Sequence, residues 1–209
     1  MVKKNIKSIL VPGIYVIAAI AFITSVILIE RVLTVSSFKD NDYMYVIDLF
    51  DSDMPVVSSD DVIIRPYNDK SVKIVKHFYD YKASQEQQQK SLVYYEKTYM
   101  QNSGVDYSGT KENFDIISIL NGTVINVMED NTLGKFIEIR HENDLISVYQ
   151  CLSETLVKKD DVINQGSNIG KSGSCNISSD LKDHLHFELF YKGQVVNPEN
   201  YYDKKIKEL

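Results

Sequence analysis

Two histidines near the C-terminal end of the chain have the side chains and spacing best suited to chemistry. They stand in His184-Leu185-His186, at the start of an apolar and aromatic run that predicts a β-strand from His184 to Tyr191. Successive side chains of a strand point to opposite faces, so both imidazoles share one face. Such a pair can bind a metal ion or act in catalysis, but the same pattern also arises by chance in a surface strand.

An ordered series of short motifs precedes and includes this histidine pair. The motifs are NSGVD at residues 102–106, YQCL at 149–152, QGSNIG at 165–170, SG at 172–173 and HLHFE at 184–188. The series resembles the lysostaphin/LytM family of zinc endopeptidases, whose pattern runs from H-x-G-x-D through Y-x-H-L and G-x-x-I-G to H-L-H-F-E. The resemblance covers about residues 100–203 and implies a LytM-like β domain.

The resemblance implies a metal site that is incomplete in this chain. In the family, zinc is bound by the first histidine, by the aspartate, which Asp106 matches, and by the second histidine of H-x-H, which His186 matches. Asn102 stands where the first histidine belongs, and an amide oxygen replaces imidazole poorly. Two further family histidines assist the attacking water; His184 matches one, and Cys151 replaces the other. Catalytic zinc normally has three protein ligands, so we expect no cofactor, no catalysis and only vestigial site residues.

Two alternatives would keep chemistry at these positions. A thiolate is a good zinc ligand, so Cys151 could complete a zinc site with Asp106 and His186. Cys151 and His184 could instead form a thiol-protease pair, although no motif supplies an oxyanion hole or an orienting group. The sequence also leaves open whether Cys151 and Cys175, its two cysteines, form a disulfide or remain thiols.

The N-terminal part of the chain predicts a membrane anchor. Residues 9–29 are uncharged and mostly apolar, and a helix of that length spans about 30 Å. Lys3, Lys4 and Lys7 precede it and favour a cytoplasmic N-terminus. A cleaved signal peptide is the alternative, but its apolar core is normally shorter and ends at a small-residue cleavage site. We expect a cytoplasmic tail at 1–8, a transmembrane helix at 9–29 and the rest of the chain outside the cytoplasm.

The remaining residues predict one mainly antiparallel β domain that positions the motifs. We expect an acidic linker at 30–54, the domain at 55–203 and a C-terminal tail at 204–209. Turn residues separate short segments with strand character, and no amphipathic core helix is evident. The predicted strands include 62–64, 72–81, 92–95, 136–140 and 145–149, with a polar loop at 83–90 and an Asn121-Gly122 hairpin turn between 116–120 and 123–128.

Charge limits the kinds of partner. The net charge is −6 and the pI is near 5.2, and no stretch of the chain is densely basic. Binding to nucleic acid requires a basic face that neutralises phosphates. We therefore exclude nucleic acid as the partner.

Residues before the motifs extend the resemblance to roughly residues 10–203. The segments 64–67, 72–81 and 94–107 resemble the stage II sporulation protein Q family, which has one membrane span and an outer LytM-like domain. Some members of that family also lack the first zinc histidine. The resemblance implies a non-catalytic interaction protein in the forespore membrane, whose domain lies in the intermembrane space. It would form half of a channel-like complex with a mother-cell membrane protein similar to stage III sporulation protein AH, and would support engulfment.

We expect the partner to bind at the surface that corresponds to the active-site groove of the peptidase family. An antiparallel sheet can be extended at its edge by a partner strand. The expected contact residues border the groove and are Leu145, Val148, Tyr149, Cys151, Leu152, Ser174 and Cys175. Two other functions remain open, a zinc-dependent peptidoglycan endopeptidase and a peptidoglycan-binding module without catalysis.

Overall fold

Strands account for most of the regular structure in residues 61–209, the part of the chain that the computed structural model describes. They are β1 Lys73–Lys76, β2 Leu92–Tyr95, β3 Thr98–Gln101, β4 Val105–Ser108, β5 Asp115–Ile117, β6 Gly122–Asp130, β7 Gly134–Arg140, β8 Leu145–Thr155, β9 Val162–Ile163, β10 Asn168–Ser172, β11 Leu185–Tyr191 and β12 Gln194–Val196. The predicted mainly antiparallel β class is confirmed.

The predicted N-terminal segments lie outside the described residues. These segments are the tail at 1–8, the transmembrane helix at 9–29 and the linker at 30–54. Between residues 61 and 209, no helix has the length and apolar character needed to span a membrane.

One large sheet carries the motifs. Its strand order is β1-β4-β11-β8-β7-β6-β9, while β12 pairs with β11 and β10 pairs with both β5 and β8. The β2–β3 hairpin stands apart from this sheet. The long strand β8 changes partner along its length, pairing with β11 over 145–150 and with β10 from Leu152 onward. The sheet therefore brings the YQCL and HLHFE motifs side by side.

Helices in the described part are short. The α-helix α1 spans Gln85–Lys90, and 3-10 turns occupy Ser179–Leu181, Pro198–Asn200 and Ile206–Glu208. Helix α1 replaces the polar loop predicted at 83–90. Ser84 caps its N-terminus: the Ser84 hydroxyl accepts a hydrogen bond from the Gln87 backbone N–H, and the Gln87 side chain accepts one from the Ser84 backbone N–H. This capping box stabilises the short helix.

The predicted hairpin at Asn121-Gly122 is wrong. Strand β5 pairs with β10, and β6 pairs with β7. The tight hairpin turn typical of Asn-Gly needs a positive φ at both central residues, and neither residue has one. Gly122 instead permits close strand contact, since a Cβ there would lie 2.4 Å from the carbonyl oxygen of Arg140.

Both ends of the described region pack together. Val62 and Lys205 form an antiparallel bridge, and Ile206 is buried with its backbone N–H bonded to Asp61. The residues predicted as a C-terminal tail, 204–209, are therefore part of the domain. Of residues 62–64 only Val62 takes part in that bridge, so they do not form the predicted strand. Only 73–76 of the strand predicted at 72–81 is regular.

Aromatic side chains fix the strands that carry the site. Tyr149 of β8 and Phe187 of β11 are fully buried, with ring centroids 5.1 Å apart. The Tyr149 hydroxyl accepts a hydrogen bond from the Ile119 backbone, and the hydroxyls of Tyr107 and Tyr202 lie 2.8 Å apart. Burying such a side chain contributes about 1.5–3 kcal/mol, so β4, β8 and β11 are held firmly in register.

Candidate functional site

The pairing of β4 with β11 sets Asp106 directly opposite His186. Gly104 allows this approach, because a Cβ at that position would lie 2.3 Å from the carbonyl oxygen of Phe187. Asp106 Oδ1 lies 2.7 Å from His186 Nδ1, with Asp106 fully buried and the His186 side chain 12% exposed. The aspartate and histidine that match two family zinc ligands are therefore bonded directly to each other.

A second carboxylate lies on the other side of the His186 ring. Glu188 Oε1 is 3.3 Å from His186 Nε2 and accepts a very short hydrogen bond from the hydroxyl of Ser103. Glu188 was not anticipated as a site residue, although its position two residues after His186 on one strand places both on the same face. The imidazole is therefore held between two buried carboxylates.

These contacts favour the charged forms of His186 and Asp106. Burial alone lowers the pKa of His186, but Asp106 and Glu188 outweigh burial and raise that pKa to about 10. Burial by itself would raise the pKa of Asp106, but the charge of His186 and the hydrogen bond from it hold the pKa of Asp106 below its usual value. Opposite charges within a few ångströms favour the ionised forms of both groups. The pair is therefore an imidazolium bound to a carboxylate.

Asn102 presents its amide nitrogen to this pair. Nδ2 lies 3.1 Å from the carbonyl oxygen of His77, 3.0 Å from that of Gly104 and 3.1 Å from Asp106 Oδ2. Three acceptors around one end of the amide place the N–H groups there, because the opposite orientation would set oxygen against oxygen. The buried Oδ1 has no hydrogen-bond partner in the described structure. Asn102 therefore contributes a hydrogen-bond donor at the position of a family zinc ligand.

The other half of the candidate site contains a covalent bond. Cys151 and Cys175 form a disulfide, which settles the question that the sequence left open. Cys151 lies in β8 between the stretch paired with β11 and the stretch paired with β10, and its φ is +61°. Such a φ is uncommon outside glycine. The regular pairing of β8 with β7 is interrupted at the point where the family pattern has a histidine.

His184 contacts this disulfide. Its Nε2 lies 3.7 Å from Cys175 Sγ, and its Nδ1 lies 2.8 Å from the carbonyl oxygen of Lys182. The residue is fully buried, and burial lowers its pKa despite the nearby Asp106 charge. His184 is therefore a neutral imidazole, in contrast to His186 two residues away.

Most of the residues expected to contact a partner are buried. The reason is that β8 is an interior strand, with β7 on one side and β11 and β10 on the other. Of the expected residues only Ser174 is exposed; the buried ones are Leu145, Val148, Tyr149, Cys151, Leu152 and Cys175. The structure corrects this expectation, since these side chains offer a partner no free surface.

The two remaining histidines lie outside the site. His141 is fully buried, with Nδ1 2.8 Å from the carbonyl oxygen of Asn121 and Nε2 2.7 Å from the hydroxyl of Ser147. His77 lies near the surface with Nδ1 2.8 Å from Glu199. Both histidines are satisfied by structural contacts.

Comparison with known proteins identifies related sequences. Residues 100–198 match Peptidase family M23. The chain is 33% identical over 203 residues to stage II sporulation protein Q of Bacillus subtilis, covering 95% of this chain and 72% of that protein. It is 37% identical over 103 residues to murein hydrolase activator NlpD of Escherichia coli, but that match covers only 48% of this chain and 26% of the activator.

Solved structures show the same fold. A chain of the SpoIIQ–SpoIIIAH pore forming complex is 36% identical, with a TM-score of 0.69, covering 72% of this chain and 96% of that one. A second complex of SpoIIIAH and SpoIIQ is 36% identical, with a TM-score of 0.65, covering 68% of this chain and 99% of that one. A zinc containing peptidase from Vibrio cholerae, 22% identical with a TM-score of 0.54 over 66% of this chain and 39% of its own, shares the fold.

Proposed function

Because this chain belongs to the stage II sporulation protein Q family and carries a Peptidase family M23 domain, we propose that it is a non-catalytic, membrane-anchored interaction protein of endospore formation. It forms the forespore half of an intermembrane complex with a mother-cell protein similar to SpoIIIAH, and it supports engulfment. Its similarity to a chain solved in complex with SpoIIIAH, over 72% of this chain, supports this partner.

The observation that carries the non-catalytic proposal is the closed network of Asn102, Asp106 and His186. A zinc ion needs lone pairs from three ligands directed at one point. Here Asp106 and His186 bond to each other, and Asn102 directs N–H groups at Asp106. Moreover, Asp106 and Glu188 raise the pKa of His186, so the proton that a metal ion would have to displace is held more tightly than on a free imidazole. This donor set does not fit zinc, so no metal-bound water is generated here.

The disulfide argues against the two alternatives in which Cys151 acts as a zinc ligand or as a nucleophile in the oxidised protein. A zinc ligand or a nucleophile must be a thiolate, whereas Cys151 is bonded to Cys175. The oxidised chain therefore offers no thiolate to complete a zinc site with Asp106 and His186, nor to act as a thiol protease with His184.

The anchor in this proposal is the apolar segment 9–29. Its length matches the hydrocarbon core of a bilayer, and the lysines before it favour a cytoplasmic N-terminus. The β domain then lies outside the cytoplasm, between the two membranes of the engulfed forespore, where a disulfide is compatible with the compartment.

The partner binds at the outer edge of β6. Strand β9 covers β6 only at Gly122 and Thr123, and loop residues bond the backbone of Val124. Over 125–130, β6 has β7 on one side and no strand of residues 61–209 on the other. Unpaired edge groups are a template for a partner strand, and Met128, 52% exposed on this edge, offers an apolar contact.

Binding of the full chain in detergent to the outer domain of a SpoIIIAH-type protein tests the proposal. Met128→Asp is expected to weaken binding at least tenfold, because a partner strand would bury the new charge. Leu156→Asp is the matched control, since Leu156 is 49% exposed but follows β8 beside β10. It is expected to bind like wild type.

Three other outcomes are informative. Equal binding by wild type and Met128→Asp would place the partner elsewhere than β6. Failure of the wild-type chain to bind the partner, combined with retention on purified sacculi, would favour the peptidoglycan-binding module. Release of peptides from sacculi by the wild-type chain with added zinc would restore the endopeptidase.

A further inference from the structure

Cys151, Cys175 and His184 together have the composition of a metal site. Their Sγ, Sγ and imidazole nitrogen atoms all lie within 4.8 Å of one another, and all three residues are buried. Two cysteines and a histidine are an established protein ligand set for zinc. We propose that reduction of the Cys151–Cys175 disulfide turns this group into a binding site for a divalent cation that prefers sulfur, with Zn²⁺ the best fit.

His184 is already oriented as a ligand. Its Nδ1–H donates to the carbonyl oxygen of Lys182, which leaves the lone pair of Nε2 facing Cys175 Sγ at 3.7 Å. Metal-binding histidines commonly use their second nitrogen in this way, because the outer hydrogen bond sets the tautomer and the ring plane. The imidazole would not need to turn to meet a cation beside the sulfur.

Backbone hydrogen bonds hold the three ligands independently of the disulfide. His184 and Gly173 form an antiparallel bridge, which ties the start of β11 to the loop that carries Cys175. The Cys151 N–H donates to the carbonyl oxygen of Leu133 in the β6–β7 turn. The loop after Cys175 is bonded to the same turn through Thr132. We therefore expect the ligands to stay close together when the sulfur–sulfur bond is broken.

The chemistry balances in two steps. First, a small dithiol reduces the disulfide, transferring two electrons and two protons to give two thiols while it becomes a disulfide itself. Second, the cation displaces both thiol protons to solvent as the thiolates bind. A dication, two thiolates and a neutral imidazole sum to zero charge, which suits a buried site, since burying an uncompensated charge is costly.

This site differs from the family zinc site in its ligands. It uses Cys151 and His184, which correspond to the two histidines that assist the reaction in the family pattern, together with Cys175. It uses neither Asp106 nor His186, which remain bonded to each other. The inference is also independent of partner binding at β6, so either can fail without the other.

Cobalt titration of the full chain in detergent tests the inference, because Co²⁺ reports thiolate ligands through a near-ultraviolet charge-transfer band. One sample is oxidised and another is reduced with dithiothreitol that is then removed under nitrogen. We expect the reduced chain to bind one equivalent of Co²⁺ with this band, and excess Zn²⁺ to displace it. The oxidised chain is expected to show no band.

Variants identify the ligands. Replacing both cysteines (Cys151→Ser with Cys175→Ser) should abolish the band and His184→Gln should weaken Co²⁺ binding at least tenfold, whereas His77→Gln, at a surface histidine outside the site, should leave both unchanged. Since both redox forms of the wild type are compared, a folding defect of one variant does not decide the outcome. Absence of the band in the reduced wild type, its presence in the chain that lacks both cysteines, or binding of normal affinity in His184→Gln would each overturn the proposal.

Discussion

The two halves of the candidate site carry residues of the same family motifs, but different interactions hold them in place. Beside β4, His186 lies between Asp106 and Glu188, and the pKa of its imidazole is raised to about 10. Beside β8, His184 lies against a disulfide, and burial lowers its pKa. Two histidines on one face of one strand thus carry different charges, because the groups opposite them differ. One half is held by charge and the other by a covalent bond.

The largest difference between the halves should appear on removing one member of the ion pair. His186→Leu leaves Asp106 buried without its counter-charge, which should destabilise the domain by about 3–5 kcal/mol. Urea unfolding of residues 55–209 measures this loss. His77→Leu is the matched control, because His77 pairs with Glu199 near the surface, where ion pairs are worth at most about 1 kcal/mol. Equal losses in both variants would mean that the buried pair contributes no more to stability than the surface pair.

Reducing the disulfide should lower the free energy of unfolding by a slightly smaller amount. The disulfide joins residues 24 positions apart, and a loop of that size predicts a loss of about 2–4 kcal/mol on reduction. Urea unfolding of the oxidised and reduced wild type, both with a chelator to exclude metal ions, measures it. A chain with Cys151→Ser and Cys175→Ser should show no response to reductant. A response of the same size in that chain would place the effect outside the disulfide.

The smallest expected effect is the change in the free energy of unfolding per pH unit, which should depend on His186. The folded pKa of His186 lies above its unfolded value of 6.5, so its contribution is complete below pH 6.5 and is lost as pH rises toward 10. The slope is at most about 1.4 kcal/mol per pH unit. Unfolding free energies between pH 6.5 and 10 should therefore fall in wild type and fall less in His186→Gln. Identical slopes would show that His186 is not charged in the folded state.

The fold class followed from local patterns, but the pairing of strands did not. Alternation and turn residues located 92–95, 136–140 and 145–149, which are strands in the structure. The Asn121-Gly122 turn was wrongly predicted, because β5 pairs with β10, about 50 residues away, and tertiary pairing outweighed the local turn preference. Similarly, the interior position of β8 could not be read from its own residues, so its buried side chains were mistaken for a contact surface.

The candidate site, too, was predicted only in part from the sequence. The motif order predicted that Asp106 and His186 would be neighbours, since each occupies a family ligand position, and the β4–β11 register places them together. Glu188 and Ser103 were missed as members of the network. Their hydrogen bond joins residues 85 positions apart, and no local pattern encodes such a contact.

The sequence by itself determined the residue types at each family position, and therefore the loss of two histidines at Asn102 and Cys151. It also determined the strand periodicity that puts His184 and His186 on one face. Only the tertiary structure decided what each of those side chains meets: a carboxylate at His186, a sulfur at His184 and a second cysteine at Cys151. The physical reason is that protonation state, disulfide pairing and metal affinity depend on groups within a few ångströms, and those groups are brought together from distant parts of the chain.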